Sequence, residues 1–233
     1  MRPFIIAIIN QKGGVGKTTT TLNLGAAMAE AGHFCTLLDL DLQRDLSSFA
    51  ASVGPNQTGN DLALSIVEAT PDRLIKILHR IEVETIEGAK ASLALSFILM
   101  DCPPALGKES AAALQIADLA IVPLQAEFAA LRGLQRVGET VAVARGRGNP
   151  GLQMKILLTM FDNRVRHCAE VEAETRRVFG TEVLEPVIKR SILFAYAALA
   201  GESMLAYAPR SAAAQSYRDA AKEILTLVPV EQA

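Results

Sequence analysis

The 233-residue chain has no tryptophan, and only 5% of its residues are aromatic. Its three cysteines (Cys35, Cys102, Cys168) and three histidines (His33, His79, His167) stand singly, with no C-x-x-C pair. That scatter excludes a disulfide framework and a structural zinc site, both of which need paired or clustered ligands. No apolar run reaches the roughly 18 residues of a membrane span, and the opening MRPFIIAIINQ is too short for a signal peptide. A cytoplasmic protein without a membrane partner is expected. Only eleven residues precede Lys12, so no N-terminal helix-turn-helix domain is expected either.

Half of the residues are hydrophobic, enough at this length to bury one large core, and residues 1–130 and 131–233 are read together as a single domain, 1–233. The net charge of −2 is unevenly placed. Residues 1–130 hold 9 Lys+Arg against 14 Asp+Glu, whereas residues 131–233 hold 14 against 11. A cationic surface therefore belongs to the second half.

Apolar runs without alternation, at 4–9, 34–39, 97–101, 119–123 and 155–160, predict buried parallel strands, with 62–67 and 183–188 as weaker candidates. Helical spacing falls at 17–31, 44–51, 71–92, 109–117, 128–145, 168–179 and 211–227. This order predicts an α/β fold, an open, mostly parallel twisted sheet with helices on both faces and ligands at the carboxyl ends of the strands.

Between the first strand and the first helix runs NQKGGVGKTTTT, Asn10 to Thr21. A phosphate-binding loop of the form G-x-x-x-x-G-K-[ST] begins with glycine, but here Lys12 holds that place. Gly13, Gly14, Val15, Gly16, Lys17, Thr18 and Thr19 are the nucleotide-binding candidates, Thr19 opening the first helical turn. Backbone N–H groups and the helix N-terminus cradle phosphate, Lys17 reaches the β- and γ-oxygens, and Thr18 reaches Mg²⁺. LLDLDLQ places Asp39 and Asp41 two residues apart on one face of the second strand's end. Beside a triphosphate, two carboxylates are tolerated if one serves the metal and the other a water. FILMDCPP ends a strand in Asp101, which suits water-mediated contact with Mg²⁺.

Together, KGGVGKT, the D-x-D segment and DCPP resemble the ParA/MinD class of deviant Walker A P-loop ATPases. Within that class the chain is most similar to the short Soj-like ParA partition proteins; VPLQAEFAALRGL (122–134), ILLTMFDNR (156–164) and YAPRSAAAQSYRDAAKEIL (207–225) share the likeness. The resemblance implies a slow, partner-stimulated ATPase that uses ATP and Mg²⁺. It makes Lys12 a signature lysine that crosses a homodimer interface to the partner's ATP, and leaves Gly13 bare where two backbones meet. Lys12, Lys17 and Asp41 become the catalytic candidates, with Asp41 orienting water. Asp39 joins Thr18 and Asp101 around the metal, and residues 101–107 sense the γ-phosphate.

The family's D-x-D-P-Q-G-N segment reads DLDLQRD here, with Leu42, Arg44 and Asp45 as departures, and Lys189 replaces a usual proline. Residues 68–97 are shorter than in typical members. The implied role is ATP-dependent, nonspecific binding of double-stranded DNA on the nucleoid, segregating or positioning a plasmid or chromosome with a ParB-like partner. Arg190, Arg210, Arg218 and Lys222 are the DNA candidates, followed by Arg164 and Arg166. A positioner of a protein cargo, such as a carboxysome or chemotaxis cluster, shares every motif. A MinD-like membrane regulator fits less well, because the tail AKEILTLVPVEQA carries no basic residue after Lys222.

Overall fold

The computed structural model describes residues 2–41, 43, 45–49, 64–71, 73, 74, 76–78 and 95–229. The strands are β1 (Phe4–Ile8), β2 (Phe34–Asp39), β3 (Leu64–Glu68), β4 (Ser96–Asp101), β5 (Leu119–Gln125) and β6 (Gln153–Thr159). They form one sheet of order β3-β2-β4-β1-β5-β6, and every pair is parallel. The central strands lack alternation because both of their faces are covered.

On one face lie α1 (Lys17–Glu30) and α7 (Ala212–Leu225). Leu24 and Met28 of α1 and Tyr217 and Ile224 of α7 pack there with Ile6, Ile8, Leu37 and Leu99 of the strands. Gly25 lets α1 lie close, since a Cβ there would stand 2.6 Å from Leu37 Cδ2. The opposite face carries α2 (Lys108–Ile116) and α3 (Phe128–Gly146), whose Leu114, Leu134 and Val137 pack on Ala7, Met100 and Val122. Fully burying each such Leu or Val side chain stabilises the fold by about 1.5–3 kcal/mol. Further along the chain come α4 (Arg166–Phe179), α5 (Leu193–Ala200) and α6 (Met204–Tyr207).

Three expectations are corrected. Residues 183–188 form no strand; Leu184 and Ile188 N–H donate to Ile156 and Leu158 of β6, but Pro186 between them has no N–H to continue the ladder. Of the helix expected at 44–51, the described residues 45–49 form only a turn ending in a 3₁₀ segment, Ser47–Phe49, because Asp39 captures both the N–H and the hydroxyl of Ser47, while 44, 50 and 51 lie outside the described residues. Helices α5 and α6 were not expected, since LFAYAALA is apolar all round and has no 3.6-residue signal. In the 71–92 stretch, helix is seen at the described residues 71, 73, 74 and 76–78; positions 79–92 lie outside the described residues.

β1 lies between β4 and β5, and the chain leaves it toward β2 on one side and later enters β5 on the other. The crevice at its carboxyl end is the switch point at which open parallel sheets bind ligands.

Candidate nucleotide site

The loop after β1 is fastened from three sides. The buried Asn10 amide donates to Pro123 O of β5 at 2.7 Å, and Asn10 Oδ1 accepts the Lys12 N–H at 3.0 Å. Thr159, the last residue of β6, donates its hydroxyl to Val15 O at 3.0 Å. Gly14 (φ 72°) and Gly16 (φ 89°) turn through left-handed backbone, where any side chain would be strained. Gly16 also opens α1 without a side-chain cap, so the first N–H groups of the helix have no side-chain acceptor. That is an anion-binding terminus.

Lys17 is buried at the start of α1, its ammonium donating at 3.4 Å to Lys12 O within the loop. Burial pulls its pKa below the usual lysine value, and the negative charges of Asp101 and Asp41 oppose that shift. A phosphate would supply the counter-charge that holds this lysine protonated.

Asp101 ends β4 in register with Asp39 of β2 and Ile8 of β1. Thr21 donates to its Oδ1 at 3.4 Å, whereas its buried Oδ2 has no hydrogen-bond partner among the described residues. Burial pushes the carboxyl up to about 7, with Asp39 and Asp41 adding to the effect and Thr18 and Lys17 opposing it. A buried, unpartnered carboxylate oxygen beside Thr18 fits a divalent cation, which would supply the missing charge. Asp39 is engaged differently: it accepts from Asp41 N–H (3.1 Å), Ser47 N–H (2.8 Å) and the Ser47 hydroxyl (2.8 Å). It anchors the loop that carries Asp41. Asp41 is half-buried, close enough to act on Lys17 and Asp101, and accepts the Gln43 N–H at 3.1 Å. Leu42 and Arg44 lie outside the described residues.

Lys12 points away from its own loop. Its ammonium meets Gln125 Oε1 at 3.0 Å and Glu127 Oε2 at 2.9 Å. Gly13 beside it is exposed, and a Cβ added there would meet nothing within 4 Å. Among the described residues, nothing requires glycine at that position.

Lys12, Gly13, Gly14, Val15, Gly16, Lys17, Thr18, Thr19, Asp39, Asp41 and Asp101 thus gather at the carboxyl ends of β1, β2 and β4. The basic candidates lie apart from them. Arg190 and Arg210 are exposed, as is Lys222 on α7, and none makes an ion pair among the described residues. Arg218 is paired with Glu30, Arg164 with Asp162 and Arg166 with Glu170. Sequence reasoning missed the fastening roles of Asn10, Gln125, Glu127 and Thr159. More than a hundred residues separate each from its contact, and no local pattern signals them.

Residues 6–204 match the CobQ/CobB/MinD/ParA nucleotide binding domain. The chain belongs to this family. It is 33% identical to the chromosome partitioning protein ParA of Caulobacter vibrioides, with 95% of this chain and 94% of that protein covered. It is 35% identical to the chromosome-partitioning ATPase Soj of Thermus thermophilus, covering 96% of each. Among solved structures, it superimposes on the septum site-determining protein MinD of Pyrococcus horikoshii, complexed with Mg-ADP, at a TM-score of 0.69. That pair is 26% identical, and the match covers 97% of each chain. Family membership and the observed sheet make this a ParA/MinD-type P-loop nucleotide-binding fold. No helix among the described residues is long and apolar enough to cross a membrane.

Proposed function

We propose that the chain is a ParA/Soj-like partition ATPase whose ATP-bound subunits pair face to face and hold nonspecific double-stranded DNA. Hydrolysis, stimulated by a ParB-like partner, then ends the DNA-bound state and positions plasmid or chromosomal DNA on the nucleoid. One observation carries the reading: a phosphate loop whose extra lysine, Lys12, stands exposed beside a Gly13 that its own subunit leaves uncovered.

In this reading the N–H groups of Gly14 to Thr19 and the Lys17 ammonium bind the phosphates of ATP. Thr18 and Asp101 would hold Mg²⁺, and Asp39 holds the Asp41 and Ser47 N–H groups in place behind them. The metal, when bound, neutralises charge on the β- and γ-phosphate oxygens. Asp41 orients the attacking water, and Lys12 of one subunit meets the γ-phosphate held by the other. An arginine supplied in this way contributes roughly 10³–10⁵ in rate in GTPases. Arg190, Arg210 and Lys222, exposed and without an ion pair among the described residues, offer charge to DNA phosphates, which carry no base identity.

The test is sedimentation of the protein with Mg²⁺ and ATP, ADP or no nucleotide, repeated with Lys17→Ala. The expected result is dimers with ATP alone and, in Lys17→Ala, loss of nucleotide affinity by at least about ten-fold, because a charged hydrogen-bonding group is removed from the phosphates. Monomers at saturating ATP would overturn the reading.

A further inference from the structure

The lysine assigned above to the partner's nucleotide is already occupied within its own subunit. Lys12 Nζ has two acceptors, Gln125 Oε1 at 3.0 Å and Glu127 Oε2 at 2.9 Å. Gln125 also donates its amide to Glu127 Oε1 at 2.6 Å, so the three side chains close a ring in which both carboxylate oxygens are used. The acceptors are well placed. Gln125 is the last residue of β5 and Glu127 caps α3, with the Glu127 N–H bonded back to Gln125 O at 2.7 Å. Glu127 also sits at the positive end of a 19-residue helix, whose dipole attracts its carboxylate toward that corner. The backbone of Lys12 is bound independently through Asn10, so releasing the ammonium leaves the loop standing.

We infer that Gln125 and Glu127 form a cis latch that competes with the partner's nucleotide for Lys12. This inference rests on the proposed function, because the competitor for Lys12 is the triphosphate of a second subunit. In the unpaired subunit the ammonium is held against its own β5–α3 corner; on pairing it exchanges one carboxylate for phosphate oxygens. The exchange is cheap because the pair is half-exposed, with Lys12 and Glu127 side chains at 43% and 44% accessibility. An exposed pair of this kind shifts an equilibrium by up to about five-fold. The latch therefore sets the nucleotide concentration at which subunits pair without preventing pairing. A buried ion pair in the same place would be far harder to open.

Glu127→Gln removes the charge, keeps the side-chain shape and, of the residues assigned to ATP, touches Lys12 alone. Two measurements separate the latch from the dimer reading. The first is the rate at which an amine-acylating reagent modifies Lys12 in nucleotide-free protein, read by mass spectrometry against the rate at Lys222. Glu127→Gln is expected to raise it about two- to five-fold, since losing the carboxylate frees the amine from its ion pair. An unchanged rate would show that the latch does not exist in solution, whatever the subunits do. The second is the dissociation constant of the dimer with Mg²⁺ and a non-hydrolysable ATP analogue. The expected result is tightening by about two- to five-fold in Glu127→Gln, with the analogue's affinity for dilute monomer unchanged. Equal or weaker pairing in the variant, where wild type does pair, would overturn the competition. Raised Lys12 labelling with no wild-type dimer at any nucleotide concentration would overturn both the competition and the dimer reading, leaving only a surface ion pair.

Discussion

Arg218 of α7 and Glu30 at the end of α1 form a two-pronged ion pair, with Arg218 Nη2 donating to Glu30 Oε1 at 2.9 Å and Nε to Oε2. The same guanidinium donates to Pro209 O at 2.7 Å. It therefore ties the C-terminal helix to the helix that begins at the phosphate loop. The hydrogen bonds from Arg218 hold the Glu30 carboxyl below its ordinary value of 4.5. A lowered folded-state pKa contributes stability that is present above the unfolded value and lost as pH falls through the folded one. Arg218→Gln is expected to lower stability at pH 7 by only about 0.5–1 kcal/mol, since the pair is partly exposed. In denaturant titrations the gap from wild type narrows as pH falls below 4.5, the carboxyl's ordinary value, toward its lowered folded one. A gap that is constant with pH would assign the loss to packing instead.

That pairing separates Arg218 from the other basic residues in DNA binding. With ATP, Arg190→Glu and Arg210→Glu are each expected to weaken binding to an arbitrary duplex and to flatten its salt dependence by about one unit of log–log slope, the share of a single neutralised phosphate. Arg218→Gln is expected to change that slope less, because Glu30 already neutralises the charge. A salt titration of binding by fluorescence anisotropy checks this. A salt-insensitive or strongly sequence-selective complex would remove the phosphate-binding surface.

Asp41→Ala is expected to leave ATP affinity within about three-fold of wild type and to slow hydrolysis by at least about 10²-fold, the usual contribution of a side chain that positions or deprotonates the nucleophile. The bound dimer then accumulates. Because Asp39 rather than Asp41 anchors the 41–47 loop, the fold is not expected to suffer. Single-turnover hydrolysis at the wild-type rate would place the water on another group.

Gly13→Val is expected to bind ATP as a monomer with near-normal affinity, since a Cβ at Gly13 meets nothing within 4 Å among the described residues of its own subunit. In the proposed dimer the β-branched side chain lies between two facing loops. Light scattering with ATP that still shows dimers would place the subunit contact elsewhere.

Much of this molecule is legible from local pattern. Uninterrupted apolar runs such as FIIAI and FILMD marked strands buried on both faces, and the glycines, lysine and threonine of residues 13–18 marked the phosphate loop by backbone chemistry that needs no long-range partner. Pattern failed where a single distant or local polar bond decided the outcome. Asp39 captures Ser47, and the described residues 45–49 of the helix expected at 44–51 hold a 3₁₀ turn instead; Pro186 broke the pairing of the 183–188 segment with β6. Helix α5 was silent because a uniformly apolar segment has no period to read.

What the sequence by itself determined is which side chains can carry the chemistry: a displaced lysine, bare glycines and carboxylates at strand ends, each set by the covalent order of a few neighbouring residues. Only the tertiary structure decided how each one is held. The parallel register sets Asp101 between Asp39 and Ile8 and leaves one of its oxygens buried without a hydrogen-bond partner among the described residues. The placement of β5 beside β1 brings Glu127 to Lys12 across 115 residues of chain. Such contacts depend on which strands lie side by side, and no local propensity encodes that order.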